Sequence, residues 1–193
     1  MSFPGHSNDI LAWAKEQDWY QPFAVTRQDS EYHGEIFLDA HVAMVMDEVL
    51  KLPVCEERKS KLALAAVFHD IAKPKCTIIE DGRIRSPGHG KLSAKMFLER
   101  TMQDLSPAAR IELYHIIRLH GKPMHAFTGP NRPETALALW SQDADISLLL
   151  DFVECDIRGR TCADQANMLS ELDLFNDHYV TSKVSRREVK RFS

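Results

Sequence analysis

Leu62-Ala63-Leu64-Ala65-Ala66-Val67-Phe68-His69-Asp70-Ile71-Ala72-Lys73-Pro74 is an apolar run that ends on an imidazole next to a carboxylate. Leu62, Ala65, Ala66 and His69 fall at helical spacing, so a helix over about residues 57–72 is expected, with Pro74 preventing its continuation. His69 and Asp70 then lie in its last turn, where the carbonyl end of the helix favours a bound cation. Two such side chains are out of place in an apolar run unless something binds them. A hydrated divalent cation meets both.

Outward from this run, helical periodicity dominates and period-two alternation is nearly absent, which predicts an all-α domain. Residues 36–52 place Val42, Val45 and Val49 on one face, which His41 shares through its spacing of four from Val45, and Pro53 stops the segment. Between 75 and 87 the pattern changes to Thr77-Ile78-Ile79, Glu80-Asp81-Gly82 and Arg83-Ile84-Arg85, which reads as a short hairpin or lid loop beside the His-Asp pair. Helices resume at about 89–101 and at 107–120, the second opened by Ser106 as N-cap with Pro107 at the first position and closed by Gly121. Residues 121–133, rich in Gly and Pro, read as a loop. A short helix over 134–142 follows, then a longer one over 145–161 whose apolar stripe is bordered by Asp156, then a last helix over 163–180. The chain reads as one domain with its core at about 36–180. The basic end, 181–193, reads either as a linker into a further domain or as a solvated tail.

Composition bounds the function. A chain of 193 residues with 44% hydrophobic residues builds one proper core. A net charge of -4 and a pI near 6.1 exclude wholesale coating of nucleic acid, though not a local basic patch. Neither a secretory leader pattern nor a continuous apolar span is visible, so a cytoplasmic protein with no membrane association is expected. Cys55, Cys76, Cys155 and Cys162 form no CxxC pair and read as reduced thiols. Trp13, Trp19 and Trp140 are not interleaved with Lys or Arg and read as core residues rather than stacking platforms.

In order along the chain, His41, His69-Asp70, His89, His120 and Asp156 spell H, HD, H, H, D. Around them stand Phe68-His69-Asp70-Ile71-Ala72-Lys73-Pro74, Gly88-His89-Gly90 followed by Ser93-Ala94, Arg118-Leu119-His120, and Asp156-Ile157-Arg158-Gly159-Arg160. From about residue 38 to 159 the chain resembles the HD-domain phosphohydrolase superfamily, a helical bundle whose metal ligands come from separate helices in this order. The final segment is similar to that of the HD domains of bacterial CCA-adding tRNA nucleotidyltransferases and polynucleotide kinase-phosphatases.

The resemblance implies a first metal held by His41, His69, Asp70 and Asp156. It implies a second held by His89 and His120, with Asp70 as the bridge and a hydroxide between the two metals as nucleophile. Imidazole and carboxylate donors suit Mn, Fe, Co, Ni or Zn, two per chain. Lys73 stands where the family often has a basic residue near the substrate phosphate, so Asp70 and Lys73 are the expected catalytic residues. Arg158 joins Lys73 as a phosphate-binding candidate, with Lys122 and Arg160 as weaker ones. His115 is an alternative to His120, and His33 and His125 read as loop or supporting histidines. The expected activity is hydrolysis of a nucleotide or RNA terminal phosphate (2′-, 3′- or 2′,3′-cyclic), in RNA repair. The alternatives are a 5′-nucleotidase acting on nucleoside monophosphates and a non-catalytic regulatory domain that binds a nucleotide.

Overall fold

The computed structural model describes residues 3–101, 104–123 and 133–189, with side chains through 182. At its centre is helix α3, Glu56–Phe68, in which every residue from Leu62 to Phe68 is buried. A helix apolar on all sides must be surrounded, and α3 packs against α1 (Ser7–Lys15), α2 (Leu38–Lys51), α5 (His89–Arg100), α6 (Pro107–Leu119) and α8 (Ile146–Arg158). The all-α reading holds. The described chain is helical apart from loops, a two-stranded hairpin and the lone bridge between Arg27 and Phe37. No described helix is long and apolar enough to cross a membrane.

Local chemistry sets most boundaries. Ser106 accepts a hydrogen bond from the Ala109 amide and Pro107 opens α6, while Asp145 accepts from the Leu148 amide at the start of α8. Asp81 and Gly82, with φ of 51° and 76°, form the tight turn between β1 (Ile78–Glu80) and β2 (Arg83–Arg85). The expected helix over 57–72 is corrected. It ends at Phe68, and Pro74 does not stop it but opens a separate turn, α4 (Lys73–Cys76). Proline excludes the carbonyl four residues before it and disfavours a helical residue just ahead. The break falls at residues 69–72, so His69 and Asp70 sit in a joint rather than in a helix turn.

Two other expectations change. Packing begins before residue 36, since Ile10 and Ala14 of α1 and Phe23 of the 3-10 turn Gln21–Val25 are fully buried in the same core. At the other end, α7 (Pro133–Trp140) precedes α8, and α9 (Gln165–Val189) continues helically through most of the segment read as a tail. The tryptophans pack as expected: Trp19 stacks on Phe68 at 4.8 Å between ring centroids, Trp13 lies against Phe68, and Trp140 against Phe175. Where α8 ends, Gly159 lies so close to α2 that a Cβ would stand 2.7 Å from the Val45 amide nitrogen. That crossing brings the end of α8 against His41.

Candidate metal centre

Five places in the chain converge. His41 comes from the first turn of α2, and His69 and Asp70 from the α3–α4 joint. His89 is the first residue of α5, His120 follows the last of α6, and Asp156 lies in the last turn of α8. All are buried except His89, whose side chain is 29% exposed.

Each of the four rings turns Nδ1 to a backbone carbonyl. His41 donates to Gly159 at 3.0 Å, His69 to Ala66 at 2.9 Å, His89 to Ser86 at 2.8 Å and His120 to Ile117 at 2.7 Å. A carbonyl only accepts, so Nδ1 is assigned the proton and Nε2 of the neutral ring is a bare lone pair. The Nε2 atoms meet in pairs, His41 with His69 at 3.3 Å and His89 with His120 at 3.2 Å. Lone pair facing lone pair in a buried place is repulsive unless a cation lies between the rings.

Asp70 links the two pairs. Its Oδ2 is 3.2 Å from His69 Nε2, and its Oδ1 is 3.3 Å from His89 Nε2 and 3.8 Å from His120 Nε2. Asp156 Oδ1 is 3.0 Å from His41 Nε2 and 3.8 Å from His69 Nε2. Each carboxylate gives its other bond to a cationic side chain: Lys73 Nζ donates to Asp70 Oδ2 at 2.7 Å, and Arg160 Nη2 to Asp156 Oδ2 at 2.5 Å. The Oδ1 atoms of both are buried with no hydrogen-bond donor once Nδ1 holds the ring proton. Orphaned carboxylate oxygens beside bare imidazole nitrogens are a donor set that fits divalent metals. The candidate ligand atoms of His41, His69 and Asp70 lie within 4.8 Å of one another, as do those of Asp70, His89 and His120.

The electrostatics agree. Burial lowers His89 and pushes His120 down to about 3, which keeps these rings neutral and able to ligate. Burial alone would raise the Asp70 carboxyl, but His69 and Lys73 outweigh it and hold it well below the usual carboxylate range. For Asp156, burial is likewise outweighed, chiefly by the Arg160 guanidinium, and its carboxyl lies well below the usual carboxylate range. His41 moves the other way, since Asp156 and Glu35 overcome its burial and raise it. Two carboxylates at one imidazole set up the negative potential that a cation satisfies.

The other sequence candidates fall into different places. Lys73 is buried, donates also to Gln28 Oε1 at 2.5 Å, and lines a cavity of about 460 Å³ beside the centre. Arg160, a weaker candidate, lines the same cavity. Arg158 does not: its side chain is half-exposed and paired with Glu154 at 2.8 Å, because two residues along a helix turn a side chain far from its neighbour's face. Lys122 is exposed and outside the cavity wall, and His115 is partly buried on α6 outside the ligand groups. His125 lies outside the described residues. His33 lines the cavity, with Nδ1 2.7 Å from Glu35 Oε1. The cysteines are free, and among the described residues none joins a ligand group.

Two participants, Glu35 and Gln28, carried no sequence signal. Glu35, 3.2 Å from His41 Nδ1, reaches it from a loop with no periodicity, at Ile36 even in a left-handed conformation with φ of 66°. Gln28 comes from another irregular stretch. Arg160 was visible only as a weaker candidate than Arg158, and the end of α8 at Arg158 turns it, rather than Arg158, onto Asp156. Among known proteins, residues 37–150 match the HD domain. No curated protein and no solved structure matches the chain.

Proposed function

The chain belongs to the HD-domain family, whose members are mostly metal-dependent hydrolases, and from that premise we propose that it is a metal-dependent phosphohydrolase acting on a nucleotide or RNA terminal phosphate. The observation that carries the reading is the pair of Nε2–Nε2 contacts arranged about Asp70, with the orphaned Oδ1 atoms of Asp70 and Asp156 beside them. His41, His69, Asp70 and Asp156 would hold one divalent ion, and Asp70, His89 and His120 a second. Bound there, such ions supply Lewis acidity and lower the pKa of water from about 15.7 toward 7.

The chain's own residues do the rest. The four carbonyls that receive Nδ1 protons hold the rings in one orientation and one tautomer. Lys73 and Arg160 each neutralise one carboxylate and stand at the cavity, where a phosphoryl group brings further negative charge. Lys73 is thus a phosphate-side cation tethered to the bridging aspartate. Buried surroundings strengthen these interactions relative to water.

The test is metal analysis of purified protein reconstituted with Mn, Fe, Co, Ni or Zn, paired with phosphate release from nucleotides bearing 2′-, 3′-, 5′- and 2′,3′-cyclic phosphates. The expected result is about two metals per chain and turnover that chelation abolishes. A protein that binds transition metal stoichiometrically and hydrolyses none of these esters refutes the reading.

A further inference from the structure

The cavity beside the centre is built largely by parts of the chain outside the matched residues 37–150. Gln28, Asp29, Tyr32 and His33 come from before it, and Asp164, Asn167, Met168 and Glu171 from after it. The second set follows the i, i+3, i+4, i+7 spacing of one helix face, entering and following the start of α9. Asn167 Nδ2 donates to Asp164 Oδ1 at 2.6 Å, which leaves the Asn167 carbonyl, the second Asp164 oxygen and the Glu171 carboxylate as acceptors on this wall. Among otherwise polar lining residues, Tyr32, with the Arg83 guanidinium 5.7 Å from its ring centroid, and Ile84 of the hairpin supply aromatic and apolar surface.

Charge separates this cavity from a strand-binding groove. The lysine and arginine of the lining are both paired at the centre, Lys73 with Asp70 and Arg160 with Asp156, and Arg83 beside Tyr32 is paired with Asp29 and Glu31. A polynucleotide needs a track of cations for successive phosphates, and here a second phosphate meets Asp29, Asp164 and Glu171. A neutral donor is to hand instead. Gln28 is 5% exposed, its Oε1 is taken by Lys73, and its Nε2 has no acceptor. An acceptor oxygen of a ligand at the centre would satisfy it.

We propose that the cavity admits one nucleotide unit and selects it by its nucleoside part, with ribose hydroxyls donating to Asn167 and Glu171 and the base against Tyr32. A volume of about 460 Å³ suits a ligand of that size. Substrate choice then resides in the flanking segments, while the matched helices hold most of the centre. The inference rests on the phosphohydrolase reading for the position of the phosphate.

The experiment compares p-nitrophenyl phosphate, adenosine 3′- and 5′-monophosphates and a short RNA with a 3′-phosphate on the Mn-reconstituted protein, wild type and the Asn167→Ala/Glu171→Ala double variant. At least one mononucleotide is expected to exceed both other substrates in kcat/KM by about tenfold. The double variant should raise its KM by about fivefold while leaving p-nitrophenyl phosphate turnover unchanged. RNA cleaved as well as the mononucleotides, or equal losses on both small substrates, overturns the inference. If no ester is hydrolysed, the phosphohydrolase reading falls, and calorimetric titration of the two monophosphates decides this one. Binding weakened in the double variant sustains it, and absence of binding overturns it.

Discussion

At the scale of single residues, each proposed ligand has a separate job. Asp70→Asn keeps the shape of the side chain but removes the charge that both halves of the centre share. It should cost metal at both places and lower turnover by about 10³-fold or more, read by metal analysis and initial rates. His89→Ala and His120→Ala should lower metal content from about two to about one per chain, leaving the circular dichroism of the helices unchanged. Unchanged stoichiometry in both would show that these rings do not complete a second ion. Glu35 acts through His41 rather than on substrate. Glu35→Gln should weaken metal affinity about 10- to 100-fold, and Glu35→Asp should rescue it in part, a pattern that loss of packing alone would not give. Protons supply a further test. Burial pushes the His33 and His120 rings to about 4 and about 3, below the unperturbed 6.5. As pH falls below 6.5 the unfolded chain takes up protons that the folded rings refuse, so the metal-free protein loses stability. The slope approaches about 2.7 kcal/mol per pH unit near pH 5 for two such groups. His41, raised in the fold, is protonated in both states there and does not offset the slope. Urea unfolding at pH 7, 6 and 5 reads it directly, and a flat dependence would contradict buried neutral rings.

At the scale of elements, the site depends on how helices end. His69, Asp70 and His120 lie just past helix ends, and His89 opens a helix, so each ring finds a nearby carbonyl three residues back: Ala66, Ser86 or Ile117. His41 is the exception, and its carbonyl is supplied by Gly159 across the α2–α8 crossing. A methyl group there would meet the Val45 backbone at 2.7–2.8 Å, contacts that no flexible side chain can relieve. Gly159→Ala should therefore separate the two helices, lowering stability by about 1–3 kcal/mol and weakening metal binding as well. An unaltered denaturation midpoint with full metal content would refute this account of the crossing. The helices, the hairpin and the cap at Ser106 were legible because each rests on residues within a few positions. The early end of α3 was not, because Pro74, expected as the stop, instead opens the separate turn α4.

At the scale of the molecule, the α3 core joins the flanks to the site. Phe23 lies outside residues 37–150 yet is fully buried beside Trp19, which stacks on Phe68 next to His69. Phe23→Ala should cost about 3–5 kcal/mol of stability, measured by urea unfolding, while metal per folded chain stays the same, since it removes core volume and no ligand. A loss of metal without a loss of stability would reverse that assignment. By itself, the sequence determined the helical class, most element positions and the candidate ligands His41, His69, Asp70, His89, His120 and Asp156, because periodicity, capping and residue chemistry are local or travel with the family pattern. Only the tertiary structure decided which carbonyl orients His41, that Glu35 and Gln28 stand behind the centre, and that Arg160 rather than Arg158 faces the cavity. Those outcomes join positions as far apart as the 118 residues between His41 and Gly159. Contacts at such range depend on how whole helices cross, and no local pattern encodes the crossing.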